Sequence, residues 1–124
     1  MKRTTSREIA FKTIYSRFFN AEDENLVEGH LDNEGLEFTT KILNAFAENY
    51  SEINNLIATH LKGYTIDRLF KIDLAIITLA VIELNFIKEN PKEVIINEAV
   101  ELAKKYSTEK SPRFINGVLA DIVK

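Results

Sequence analysis

From Ile72 to Lys88 the chain is apolar almost all round a helical projection, with Leu74, Ile76, Ile77, Leu79, Val81 and Ile82 at its heart. A helix without a polar face needs neighbours on most of its circumference. The run is too long for one strand, despite its β-branched content. It is too short, and too interrupted by Thr78 and Glu83, to span a bilayer. The remainder of the chain must supply amphipathic elements that surround it.

Those elements read as helices. Only four glycines and two prolines punctuate 124 residues, so long helices and short loops are expected. Ala10, Ile14 and Phe18 recur every four residues with Phe11 and Tyr15 beside them, which predicts a first helix over about Thr5 to Phe19. Residues 21–33 are polar and acidic and read as a loop. A second helix spans about Glu34 to Glu48. Ser51 is placed to cap a third, with Gly63 as its C-cap. Thr65 is placed to cap a short fourth, Ile66 to Phe70. Asn90-Pro91 should stop the central helix. A sixth runs over about Lys92 to Tyr106, and Ser111-Pro112 opens a seventh through Val123. The expectation is an all-α bundle of about seven helices, one domain over residues 1–124.

Net charge is −3, which taken alone argues against nucleic acid. Its distribution argues otherwise. Lys2, Arg3, Arg7, Lys12 and Arg17 face only Glu8 within the first twenty residues, and Lys104, Lys105, Lys110 and Arg113 cluster near the C-terminus. Between them, residues 22–37 hold seven acids and no base. Local potential, not net charge, steers a phosphate chain.

Catalytic chemistry has little to work with. There is no cysteine, so disulfides, thiol catalysis and Cys-ligated metal are excluded. His30 and His60 have no fixed spacing to a carboxylate pair and read as solvent-exposed polar residues. Glu34/Glu37 and Glu98/Glu101 read as solvated helix faces. No phosphate-binding glycine loop, zinc-protease or nucleophile-elbow motif occurs. Neither enzyme activity nor cofactor is expected. No apolar run follows Met1-Lys2-Arg3, so a signal peptide is not expected and a cytoplasmic location is.

The C-terminal third resembles the NusB family. Ile96-Asn97-Glu98-Ala99-Val100-Glu101-Leu102-Ala103-Lys104-Lys105-Tyr106 is similar to its sixth-helix signature, and Phe114-Ile115-Asn116-Gly117-Val118-Leu119 to its F-[VI]-N-G-[VI]-L motif. Ala80-Val81-Ile82-Glu83-Leu84 resembles the A-x-x-E-L end of its central helix, and Arg7-Glu8-Ile9-Ala10 with Ile14-Tyr15 its first-helix pattern. The resemblance implies two packed helical sub-bundles and a transcription antitermination adaptor. Such adaptors pair with NusE, a small-subunit ribosomal protein, bind boxA-type single-stranded RNA of nascent transcripts, notably from rRNA operons, and act on the transcription elongation complex. A related domain begins an rRNA methyltransferase; no catalytic extension follows Lys124, so that activity is not expected. A helical protein-interaction module with little RNA binding of its own is the alternative.

The RNA-binding residues that follow from charge and resemblance are Lys2, Arg3, Arg7, Tyr15, Asp73, Lys105, Lys110, Arg113 and Phe114. Arg3 and Arg7 share an azimuth with Ile14 and Phe18, so the first helix should overhang the core and expose them at its rim. The plainer reading pairs Arg7 with an acid. Arg7 and Arg113 are expected on one face with Tyr15 near, and the acidic 22–37 segment away from it. Asn97 and Glu98 are expected to bind backbone groups of the preceding loop. Gly117, which costs about 1 kcal/mol within a helix, is expected at a close helix crossing. Glu83 is expected at the edge of the central helix, and Phe114 in the core or open to stacking. Thr4 to Ser6 and Thr78 stand where family members often carry arginine, so fewer phosphate contacts are expected.

Overall fold

A computed structural model describes residues 2–19 and 32–124. Its α-helices are α1 (Lys2–Arg17), α2 (Asn33–Glu48), α3 (Tyr50–Thr59), α4 (Lys71–Ile82), α5 (Lys92–Tyr106) and α6 (Ser111–Ile122). No strand occurs among the described residues. Residues 21–31 of the expected loop, His30 and most of the acidic 22–37 segment lie outside the described residues, and Asp32 caps α2, which begins at Asn33 inside that expected loop.

The apolar run becomes the axis of the molecule. Every residue from Asp73 to Ile82 is buried, and α4 packs against α1, α2, α3, α5 and α6. Around it α1 packs on α2 and α2 on α3, while α5 pairs with α6. A side chain buried on all sides has no room for a free polar atom, yet Thr78 Oγ1 is buried without a partner among the described residues. An unsatisfied buried hydroxyl opposes folding by about 1–3 kcal/mol.

Several boundaries differ from the expectation, each for a local reason. Six α-helices form among the described residues instead of about seven, because Ile66–Arg68 closes only a single 3-10 turn. Phe70, whose extended backbone precedes α4, separates that turn from the axis. α3 starts at Tyr50, ahead of Ser51, and the Asn49 side chain bonds back to the Ala45 carbonyl. α3 ends at His60, so Gly63, with φ +80°, serves the following turn instead of capping a helix. The axis widens at its end into a π-turn, Glu83–Ile87, and Lys88 adopts a left-handed conformation whose N–H bonds Glu83 O at 2.9 Å. The chain has therefore turned before Asn90-Pro91. Ser111 is the first residue of α6, not its cap, and its hydroxyl points elsewhere, as shown below.

Ile76 and Leu79 are 0% and 2% exposed. Truncating either to alanine should cost about 2–5 kcal/mol, measured by denaturant titration; a loss under about 1 kcal/mol would mean that α4 is not the axis. Thr78→Val should instead raise stability by about 1 kcal/mol in the same assay.

Candidate nucleic-acid interface

The first turns of α1 hold an ion pair inside the protein. Arg7 is 3% exposed and Glu83 1%. The Arg7 guanidinium donates from Nε to Glu83 Oε2 at 2.6 Å and from Nη2 to Oε1 at 2.9 Å. Its Nη1 reaches Glu98 Oε1 at 3.3 Å, which also accepts from the Thr4 hydroxyl at 2.9 Å. With its carboxamide oxygen turned inward, Asn90 accepts from Arg3 Nη1 and Arg7 Nη2 at 3.1 and 3.2 Å. A bidentate, charge-assisted arrangement of this kind is what allows a guanidinium to leave water.

Arg7 thus takes the plainer of its two readings, and the overhanging rim is corrected: the helix start is covered. Glu83 is paired, but at the centre and not at an edge. Glu98 serves α1 side chains instead of the preceding loop's backbone, so it is no solvated face, and Asn97 is exposed. Arg3 stacks over Phe38, its Cζ 3.9 Å from the ring centroid, and pairs with Glu89 at 3.0 Å, a carboxylate shared with Lys41. The Lys2 side chain lies outside the described residues.

The opposite side of α1 carries a different surface. Lys12 lies nine residues from Arg3, about two and a half helical turns, and so points the other way. Glu8, Lys12 and Tyr15 follow one another at single-turn spacing. Lys105 donates to Glu8 Oε2 at 2.7 Å and Tyr106 hydrogen-bonds the same oxygen. Lys12 and Lys105 each hold Nζ 5.4 Å from the Tyr106 ring centroid. Tyr15 is half-buried and meets the exposed Phe19 edge-on at 5.1 Å. Glu8 therefore staples α1 to the end of α5. Burial pushes its carboxyl up, but the bonds from Lys105 and Tyr106 outweigh this and hold it below its ordinary value.

Beyond α5, the turn at 107–110 is fixed from within. Asp73, only 4% exposed, accepts from the Ser107 hydroxyl at 2.5 Å and the Ser111 hydroxyl at 3.0 Å. Asp73 is consequently spent on the turn and offers no carboxylate outward. The turn presents Lys110, and α6 continues into Phe114, which meets Tyr64 edge-on at 5.7 Å. Lys110, Phe114, Tyr64, Arg68 and Phe70 surround a cleft of about 220 Å³ above Asp73. Next to it, a wider hollow of about 440 Å³ is walled by Lys62, Arg113, Phe114 and Lys124, with Gly117 in its lining. The Gly117 backbone is exposed and a Cβ there would meet nothing within 4 Å, so the expected close crossing is absent. His60 closes this hollow, bonding Asp121 at 2.7 Å and holding that carboxyl below its ordinary value. His60 is therefore paired and partly buried, not a free surface residue.

Arg7 and Arg113 do not open onto one face. α1 reaches α5 through Glu98 and Lys105, whereas Arg113 lies with Glu93, Ile96, Asn97 and Val100. Ile96 is nine residues from Lys105, about two and a half turns, and so on the far side of α5. The structure instead groups Lys12 and Lys105 about Tyr106, between α1 and the end of α5, and Lys110 with Phe114 about the cleft above Asp73. Tyr64, Arg68 and Phe70 join Lys110 and Phe114 around this cleft; along the chain their only signal is two aromatics interleaved with a base.

Over residues 4–124 the sequence matches the model of the NusB family. The transcription antitermination protein NusB of Clostridium novyi (strain NT) is 36% identical over 132 residues, covering 100% of this chain and 99% of that one. T. maritima NusB superposes with a TM-score of 0.90 at 35% identity, covering 97% of this chain and 89% of that one. An antitermination factor NusB solved with NusE and double-stranded RNA superposes with a TM-score of 0.88 at 30% identity, covering 98% and 95%.

Removing one member of a buried pair strands the other, so Arg7→Met should cost about 3–5 kcal/mol by denaturant titration. Arg7→Met with Glu83→Leu should cost much less than the two singly added. Glu8 sets a pH dependence. A depressed carboxylate contributes stability above its unfolded value of about 4.5 and loses it as pH falls through the lower folded value. The stability difference between the natural protein and Glu8→Gln should be constant near neutrality and shrink below that pH.

Proposed function

The chain belongs to the NusB family, and from that premise we propose that it is an RNA-binding transcription antitermination adaptor. It takes boxA-type single-stranded RNA of nascent transcripts, notably from rRNA operons. It does so jointly with a NusE-type ribosomal protein, in the cytoplasm, as one helical domain within the elongation complex.

The observation that carries this reading is the cleft above Asp73, where Lys110 and Arg68 stand among Tyr64, Phe70 and Phe114. Single-stranded RNA needs cations for its phosphates and rings for its unstacked bases. Lys110 and Arg68 supply the first and Phe114, Tyr64 and Phe70 the second, while Lys12 and Tyr15 on α1 offer a further cation and ring. Asp73 acts as a positioning residue, since its two serine bonds hold the turn that presents Lys110. Arg7 positions as well, by seating α1, and Arg3 is engaged by Glu89 and Phe38. Because Lys105 already serves Glu8, the chain alone binds RNA weakly and its partner contributes further contacts.

The alternative, an interaction module with little RNA binding of its own, draws on the net charge of −3 and on the cations engaged by Glu8, Glu83 and Glu89. Titration of boxA-like RNA, with and without the NusE-type partner, separates the two. Lys110→Glu should weaken RNA binding without changing the melting temperature, and should flatten log K against log salt by about one or two units. Phe114→Ala should cost about 1–3 kcal/mol of RNA affinity. Affinity and salt slope unchanged in both variants would establish the interaction module instead.

A further inference from the structure

The hollow beside the cleft contains a signature residue that the fold does not explain. Gly117 lies in the middle of α6, where glycine costs helix stability relative to alanine. No left-handed turn requires it, because among the described glycines only Gly63 has a positive φ. No neighbouring helix requires it either: its backbone is exposed, and a Cβ would meet nothing within 4 Å. What remains of glycine's uses is the close approach of a ligand to the backbone.

The surroundings of Gly117 indicate which ligand. Arg113, Gly117, Ala120 and Lys124 follow one another at four- and three-residue spacing along one stripe of α6. Lys62 and Tyr64, from the segment after α3, line the same hollow. Its volume of about 440 Å³ falls within the roughly 300–1,000 Å³ of small-ligand sites. Lys62, Arg113 and Lys124 stand there against a single acid, Asp121. That acid is already bonded by His60 at 2.7 Å, and Lys62 and Lys124 approach it only at 3.9 and 3.8 Å. Arg113 has no ion pair among the described residues. The surplus is positive, as a phosphate requires. Tyr64 and Phe114 line both this hollow and the cleft above Asp73, so their edge-on pair is a wall common to the two. A nucleotide chain leaving the cleft passes over these rings into the hollow.

We infer that the hollow is a second RNA subsite, which takes the nucleotide next to the one held in the cleft. The base enters over Gly117, where no side chain stands in the way, and Arg113, Lys62 and Lys124 neutralise the phosphates that flank it. Gly117 is then kept for access and not for packing. The inference rests on the RNA-binding function proposed above.

The test uses the full chain with its NusE-type partner and boxA-like RNA, and the same RNA shortened one nucleotide at a time from either end. Alanine and glutamine are both better helix formers than glycine. Gly117→Ala and Gly117→Gln should therefore raise the melting temperature, alanine by about 3–6 °C. Both should nevertheless weaken RNA binding, alanine about threefold and glutamine about tenfold. Lys62→Glu should weaken it about tenfold and flatten log K against log salt by about one or two units. All three losses should vanish with RNA too short to reach the hollow, while that of Lys110→Glu persists. In the unmutated, isotopically labelled chain, amide resonances of 62–64, 113–117 and 120–124 should shift with the longer RNA more than with the shortened one, a readout that no variant's folding affects. RNA affinity unchanged in Gly117→Gln and Lys62→Glu, with Lys110→Glu still weakened, overturns the subsite and leaves the proposed function standing. Equal losses with long and short RNA overturn it as well. If Gly117→Gln weakens the ribosomal protein's binding without RNA and leaves RNA affinity alone, the hollow is a protein contact instead. Absence of RNA binding by the unmutated assembly overturns the proposed function and the subsite with it.

Discussion

The Arg7–Glu83 pair is the contact on which the rest of the architecture turns. Glu83 lies where the axial helix widens into its π-turn. A π-turn puts one extra residue into the helix, and such insertions recur at functional positions. The carboxylate would be intolerable in that core alone. It is accommodated because α1 delivers a guanidinium that meets it with two bonds, and Glu98, Thr4 and Asn90 close the remaining valences. Burying ions in this way is not an efficient source of stability. It is selective, because few other placements of α1 against α4 and α5 satisfy every group.

Once α1 is seated, the placement of its far side follows. A helix with Arg7 inward carries Glu8, Lys12 and Tyr15 toward the end of α5, where Lys105 and Tyr106 meet Glu8. A second buried carboxylate, Asp73 at the start of α4, fixes the turn that follows. Two buried acids, Asp73 near the start of the axial helix and Glu83 just past its end, therefore organise the elements around them. Glu8 plays a third part, since it anchors Lys105 and at the same time draws on its charge.

Several residues were legible from the chain alone and several were not. Ten consecutive buried positions in α4 follow from an apolar run with no polar face. The amphipathic periods of α2, α5 and α6 likewise set which sides turn inward. Arg7 was undecidable, because both a phosphate and a buried carboxylate are natural partners of a guanidinium, and Glu83 is 76 residues away. The fourth helix failed because Ile66 to Phe70 has too few residues to propagate once Phe70 turns extended. Gly117 was assigned to a crossing that does not exist, since a glycine signals the need for space but not which side of the chain needs it.

What this sequence determines by itself is local and periodic. It specifies helices, their apolar faces, the absence of thiol chemistry and two motifs that mark a family. Hydrophobic period and motif spacing are properties of neighbouring residues, and they survive without knowledge of the fold. What only the tertiary structure decided is which charges remain available. Arg3, Arg7 and Asp73 look as available as Lys110 when read along the chain. Three are committed to partners brought in from 34 to 86 residues away, and among the described residues Lys110 is not. The free energy of a charge depends on burial and on what stands opposite, and both are set by packing, not by sequence neighbours.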